Sequence, residues 1–441
     1  MMKIRTTLVL ALALTLVSAA CAPAAAPTPT PTKAPAAAAT SAPAATSPTT
    51  PPKTTAPAST PAAATGTAGA ATKPSGTPIK VGFLTPLAGP VAPFGALEAI
   101  SIALAEADIN GTGGINGRPL QIVRYDSPFD PQQAVTLVRK LALDDKVFAI
   151  LGPYSSGEMD VAAPLANELQ IPVIGMKTTK PGFSEKNRPW EFRFTVTDDI
   201  SVPAVIAVFK KQNPGVKSVL IVGDTKESVT ASMVNEVWPK FLKEAGLEVQ
   251  GTVGYDSGVT DFSAIVTKIK GMNPQAIAYN ATPKGNPVGF AKEMAQQQVK
   301  VPVMNGVHWV PDGFVVQAGA AVEGWLAASF FDTSTTDPKA QDFMKRWQVK
   351  ADADPGTPKP ALLTLEANDY DTLMVLAEIM RKANVTPETP LQEARTKIRD
   401  GLAVVKDYKG VSGNITMQPS GDATWPATVV VAQNSRWVPV K

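Results

Sequence analysis

Residues 79–143 read IKVGFLTPLAGPVAPFGALEAISIALAEADINGTGGINGRPLQIVRYDSPFDPQQAVTLVRKLAL, and their rhythm decides the fold class. Residues 79–84 are a short β-rich run, followed by turn residues and an amphipathic stretch over 94–110. The glycines of GTGG at 111–114 stop that helix. Residues 120–125 read as a second strand and 131–143 as a second helix, with Pro131 suited to a first helical turn.

Working outward, residues 147–151, 156–169 and 172–175 repeat the alternation. A second series then follows. Residues 218–222, 247–253, 276–280 and 301–304 read as strands, and 231–245, 262–270 and 288–294 as helices. Strands and helices at this spacing predict an α/β fold with parallel sheets covered on both faces, and the length fits two such domains. After Gly324 the rhythm loosens into longer helices over 338–350 and 362–382, then β-like pieces at 413–417 and 428–432. No short fixed repeat is present, and no apolar run beyond the N-terminal segment is long enough to cross a bilayer.

The N-terminus has a different character. Residues 1–5 are basic, 8–17 are an apolar run of about ten residues typical of a signal segment, and Ser18, Ala19 and Ala20 lead to Cys21. This pattern resembles a bacterial lipoprotein signal, which implies removal of residues 1–20 and lipidation of Cys21. An ordinary secretory signal is the alternative. Either reading exports the protein, to the extracellular or periplasmic face of the cell membrane. Residues 22–78 are almost wholly Ala, Pro, Thr and Ser and cannot bury enough apolar surface to order themselves, so a disordered tether over 21–78 is expected.

Charge follows the same division. The chain has 41 Lys plus Arg against 38 Asp plus Glu, a formal +3. Residues 1–78 hold five of those basic groups and no acid, leaving 36 basic against 38 acidic in the rest. The globular part therefore has no electrostatic reason to seek nucleic acid. One Cys and one His exclude disulfides within the chain, Cys-based zinc and multi-His metal sites. Metal and cofactor are therefore expected to be absent. No phosphate-binding G-x-x-x-x-G-K-[ST] loop or G-x-S-x-G elbow occurs, and GTGGING at 111–117 follows a helix rather than a strand. A hydrolase built on His308 would need an unmarked Ser and Asp to converge on it.

Binding signals are stronger. Residues 83–135 resemble the opening of the branched-chain amino-acid-binding family of periplasmic ABC-transporter solute-binding proteins. LGPYSSGEMDVAAPLANELQIPVI at 151–174 resembles that family's ligand loop and next βα unit. DFSAIVTKIKGMNPQAIAY at 261–279 and NDYDTLMVLAEIM at 368–380 fit its later landmarks. The resemblance implies two Rossmann-like lobes joined by three crossovers, near residues 194–198, 305–307 and 419–424. Lobe 1 would hold 79–196 with 306–421, and lobe 2 would hold 197–305 with 422–441.

The best-supported ligand position is the loop Gly152 to Gly157, between a strand end and a helix N-terminus whose free N–H groups favour a carboxylate. Ser156 falls where the family holds the ligand's carboxylate, with Tyr154 and Ser155 beside it; a serine there also suits a helix cap. In IGMKTTKPGFS at 174–184, Lys177 takes the place of a residue whose carbonyl meets the ligand's amino group, its side chain free to run outward. Thr179 takes that of a hydroxyl donor. Phe94 stands where relatives carry Tyr, as an aromatic wall or a packing residue. The family's acidic partner for the ligand ammonium is missing from the loop 281–286, which contains Lys284. Glu227 is the candidate replacement, or else a surface acid, and Thr282 a further hydroxyl contact. His308 and Trp309 could stack on a planar ligand.

The expected function is therefore capture of a small amino acid, aromatic acid or amide by hinge closure and its delivery to an ABC permease. No catalysis is expected. A sensor protein of the same fold is the alternative.

Overall fold

Val81, Phe83 and Leu84 are fully buried along the first strand, because a parallel strand covered on both faces has no solvent side. In the computed structural model, which describes residues 73–282, 285–307, 313–357, 359, 361, 363, 365–424 and 427–441, this strand is β1 (Ile79–Thr85). It pairs in parallel with β2 (Leu120–Asp126) from Ile79↔Leu120 to Thr85↔Asp126, and on its other side with β3 (Ile150–Leu151). Then come β4 (Val173–Gly175) and β5 (Glu191–Arg193), giving the order β2-β1-β3-β4-β5. The connecting helices are α1 (Ala92–Gly111), α2 (Pro131–Arg139), α3 (Ser156–Leu169) and α4 (Phe183–Lys186). α2 starts where the carboxylate of Asp130 caps the free N–H groups of Gln132 and Gln133 and Pro131 fills the first turn.

The chain then passes through Phe194 to Thr197 into α5 (Asp198–Gln212), which packs on a second sheet. That sheet contains β6 (Ser218–Asp224), β7 (Glu248–Tyr255), β8 (Ile277–Asn280), β9 (Val303–Asn305) and β10 (Leu326–Ser329). Between them lie α6 (Ser228–Ser232), α7 (Trp238–Glu244), α8 (Ser263–Met272), α9 (Pro287–Gln296) and α10 (Phe314–Ala318). Its parallel part runs β7-β6-β8-β9-β10. Numbered within each lobe, this is the same 2-1-3-4-5 order as the first sheet, so the two lobes repeat one doubly wound topology.

This repeat corrects the expected second crossover near residues 305–307, which assigned 306–421 to the first lobe. β10 bonds to β9 at Leu326↔Met304 and belongs to the second sheet. Each lobe completes five parallel strands before the chain leaves it. The return to the first lobe comes after Ser329, leading to α11 (Pro338–Ala353), α12 (Ala367–Lys382) and α13 (Leu391–Ala403). α11 and α12 both pack on α1. The helix expected from residue 362 starts at Ala367. A small antiparallel sheet of β11 (Tyr408–Lys409), β12 (Asn414–Met417) and β13 (Ala423–Thr424) follows. Finally β14 (Thr428–Gln433) and β15 (Arg436–Pro439) extend the second sheet with antiparallel strands beside β10.

The crossing segments are tied together by buried charge. Arg193, at the end of β5 and fully buried, donates from Nε to Asp422 Oδ1 at 2.6 Å, and the two residues form an isolated bridge. The guanidinium also donates to the carbonyls of Thr178 and Lys180. One side chain thus joins the first crossing, the last crossing and the loop after β4.

Candidate functional site

The C-terminal ends of the parallel strands in both sheets open on one cleft. β1, β3 and β4 lead into the loops of the first wall, and β6, β8 and β9 into those of the second. These are corresponding strands of the repeated topology, and ligands of open α/β sheets bind at such ends. The cleft encloses about 490 Å³ of non-atom space, its open mouth included. Eight of the ten sequence-selected positions line it: Phe94, Tyr154, Ser155, Ser156, Lys177, Thr179, Glu227 and Thr282. His308, Trp309 and Lys284 lie outside the described residues, as do Cys21, the signal segment and residues 21–72 of the tether.

On the first wall, α3 points its N-terminus at the cleft. Ser155 Oγ accepts from Glu158 N at 3.2 Å and donates to Glu158 Oε2 at 2.9 Å, while that oxygen accepts from Ser155 N. This capping box occupies the Ser155 hydroxyl. The neighbouring Ser156 is buried and lines the cleft beside it. Burial pushes the Glu158 carboxyl up, against hydrogen bonds from Ser127 and Ser155.

Two expectations about the loop after β4 need correction. The Lys177 side chain does not run outward; it is buried and donates to both oxygens of Asp369 at 2.6 and 2.8 Å and to the Leu365 carbonyl at 2.8 Å. An ammonium inside the first lobe must be paired, and α12 supplies the carboxylate. Burial pushes the Asp369 carboxyl well above its usual range, opposed by Lys177. Glu98 on α1, which also faces Lys177, is pushed by burial up to about 7. Thr179, expected as a donor to the ligand, gives its hydroxyl hydrogen to Asp198 Oδ2 at 3.0 Å.

On the second wall, Glu227 is half-buried rather than an exposed acid. Its Oε2 accepts from Val229 N at 2.8 Å and Thr230 N at 3.3 Å, capping α6. Thr282 is buried, and its hydroxyl has no partner among the described residues. Phe94 combines both expected roles: it lines the cleft and packs edge-on against Tyr154 at 6.2 Å and Phe314 at 5.9 Å. Tyr154 in turn stacks on Phe129 at 5.4 Å. Phe129, Val229, Val307, Phe330 and Leu365 also line the cleft and were not selected from the sequence. Phe129 carried a usable signal, being an aromatic residue in a βα loop; Leu365 carried none.

The arrangement offers hydrogen-bonding groups on facing walls and an aromatic flank. No group of acids, His or Cys among the described residues could hold a metal. The family model described as periplasmic binding protein matches residues 78–435. The chain belongs to the periplasmic binding protein family. It lies with the branched-chain amino-acid-binding members, as a solute-binding protein and not an enzyme. It is 26% identical over 352 residues to a leucine-, isoleucine-, valine-, threonine- and alanine-binding protein of Pseudomonas aeruginosa, covering 78% of this chain and 87% of that one. The Leu/Ile/Val-binding protein of Escherichia coli is 29% identical over 256 residues, covering 56% and 66%.

Solved structures share the fold. One is a branched-chain amino acid transporter substrate-binding protein from Streptococcus pneumoniae in complex with isoleucine. Its TM-score is 0.71 at 23% identity, covering 83% of this chain and all of that one. Another is an ABC-transporter solute-binding protein from Rhodopseudomonas palustris in complex with p-hydroxybenzoic acid, with TM-score 0.72 at 20% identity, covering 83% and 96%. No helix among the described residues is long and apolar enough to cross a membrane.

Proposed function

We propose that this periplasmic binding protein captures a small amino acid, or a related carboxylate or amide, and hands it to an ABC permease from a lipid anchor at Cys21. The observation that carries the reading is the polarity of the two walls. The α3 N-terminus with Ser156 offers donors to a carboxylate. Thr179 and Glu227 offer acceptors to an ammonium or amide N–H, and Thr282 a hydroxyl. Closure of the lobes removes the solute from water and strengthens these contacts. The closed form is then what the permease selects. The flank of Phe94, Phe129 and Tyr154 favours an apolar or aromatic side group, so aromatic acids are the second ligand class.

A thermal-shift screen over amino acids, aromatic carboxylates and amides tests the ligand reading. A solute at about a hundred times its dissociation constant adds about 2.7 kcal/mol to stability, a shift such a screen reads directly. Hits among amino acids support Glu227 as the replacement acid. Hits confined to acids without an ammonium assign the site to the second class, and a flat screen contradicts both. Membrane fractionation of a Cys21→Ala chain checks the anchor, with release from the membrane fraction as the expected result.

A further inference from the structure

We propose that Lys180, Asp160 and Ser228 form a closure latch that sets how long the solute stays bound, although none of the three lines the cleft. The proposal rests on the reading of the chain as a hinge-closing solute-binding protein. Lys180 follows Thr179 in the loop after β4, and Asp160 lies on α3, so both belong to the first lobe. Ser228 is the first residue of α6 in the second. Lys180 Nζ lies 2.8 Å from Ser228 Oγ and 3.0 and 3.2 Å from the two Asp160 oxygens. The Ser228 hydroxyl donates to Asp160 Oδ2. Each of the three groups therefore touches the other two. A hydroxyl suits the second-lobe position because it accepts from the ammonium and donates to the carboxylate at once.

The surroundings fix each member. The Lys180 carbonyl accepts from buried Arg193, and its ammonium sits 5.3 Å above the Phe183 ring. Glu227 caps α6 and so orients Ser228. Gly157 lies at the same junction: a Cβ there would meet Glu227 Oε1 at 3.4 Å and Ser228 Cβ at 3.9 Å, ordinary van der Waals contact, so α3 and α6 already touch beside the network. Lys180 and Asp160 keep 28% and 36% of their side chains exposed, so water and salt screen the network and it can open. When the lobes part, the Lys180–Asp160 pair stays within the first lobe and only the bonds to Ser228 break. Such a contact acts on release rather than on capture, since encounter precedes closure.

The test uses the whole chain in detergent, with Cys21→Ser and spin labels on Leu143→Cys and Lys268→Cys, exposed positions on the first and second lobes. Interlobe distances are measured with and without Ser228→Ala. Release and association of L-leucine, and of 4-hydroxybenzoate, are followed by stopped flow. Ser228→Ala should release the bound probe about tenfold faster, the scale of losing a hydrogen bond to charged groups. Its association rate should stay within about twofold, and short interlobe distances should become fewer. Ser228→Thr keeps the hydroxyl and should restore both. Unchanged distances and an unchanged release rate in Ser228→Ala overturn the latch. A chain that binds neither probe contradicts the ligand class, and the distances, which need no ligand, then decide the latch by themselves.

Discussion

Replacing Lys177 by Met is expected to lower the unfolding free energy at pH 8 by about 3–5 kcal/mol, the cost of leaving one partner of a buried ion pair uncompensated. The pair is Lys177–Asp369, at 2.6 Å with both side chains almost fully buried. In the variant, Asp369 would have to ionise among Glu98, Glu366 and apolar groups, or bind a proton on folding. Burial already raises its folded-state pKa above the ordinary 3.8 in the native chain, and losing Lys177, which lowers it, raises it further. The stability linked to its protonation is fully present below about 3.8 and is lost as pH rises, more so in the variant. The deficit should therefore shrink in acid. Glu98 adds to this slope in the native protein: raised from 4.5 to about 7, it contributes stability that is complete below about 4.5 and fades as pH rises through about 7. The paired replacement of Lys177 by Met and Asp369 by Leu should recover most of the loss. Urea unfolding at pH 5 and pH 8 measures all three. A single variant as stable as the native chain at pH 8 would show that the pair does not hold the loop after β4 against α12.

The second large effect is expected at Gly152. Its φ is +88°, and a Cβ there would lie 2.3 Å from the Leu84 carbonyl oxygen at the end of β1. Its own N–H donates to the Ile174 carbonyl on β4, so the backbone is held from both sides. Gly152→Ala thus adds left-handed strain of about 1–2 kcal/mol to an overpacking cost of about 1–3 kcal/mol. It also displaces the loop that carries Ser155 and Ser156, so solute affinity should fall with stability. Gly117→Ala is the control, because Gly117 has φ +80° but open space where the Cβ would go. It should show the strain part alone. Equal losses in the two variants would mean that the contact with β1 is not the cause.

What was legible in the sequence follows from how local each feature is. α3 was read at its observed limits because Ser155, Glu158 and the apolar spacing all act within a few residues. α5 was not foreseen. Its sequence DDISVPAVIAVFKKQ carries Pro203 and apolar residues on nearly every face, so no period emerges from it. β10 escaped because LAAS is short and small, and becomes a strand only through β9 and β14. The second crossover was misplaced for a related reason. Where a chain changes lobe is a property of topology, and hydrophobic periodicity does not record it.

The cleft divides the same way. Residues just past strand ends (Tyr154, Ser156, Thr179, Glu227, Thr282) could be selected because the βα rhythm locates those ends. Leu365 reaches the cleft only through the return to the first lobe, just ahead of α12, and Phe330 just past β10, the unforeseen strand. Lys177 was selected, yet its partner Asp369 lies 192 residues away, and no spacing rule links the two.

Calorimetric titration of L-leucine, L-isoleucine and 4-hydroxybenzoate into the native chain and into a Ser156→Ala variant tests the central claim most directly. The account predicts one solute per chain for at least one of the three and a negative heat-capacity change from apolar burial. It also predicts affinity about tenfold weaker in the variant, the loss of one hydrogen bond to a carboxylate. Binding that is unaffected by the Ser156 replacement, or no binding of any of the three, would contradict it.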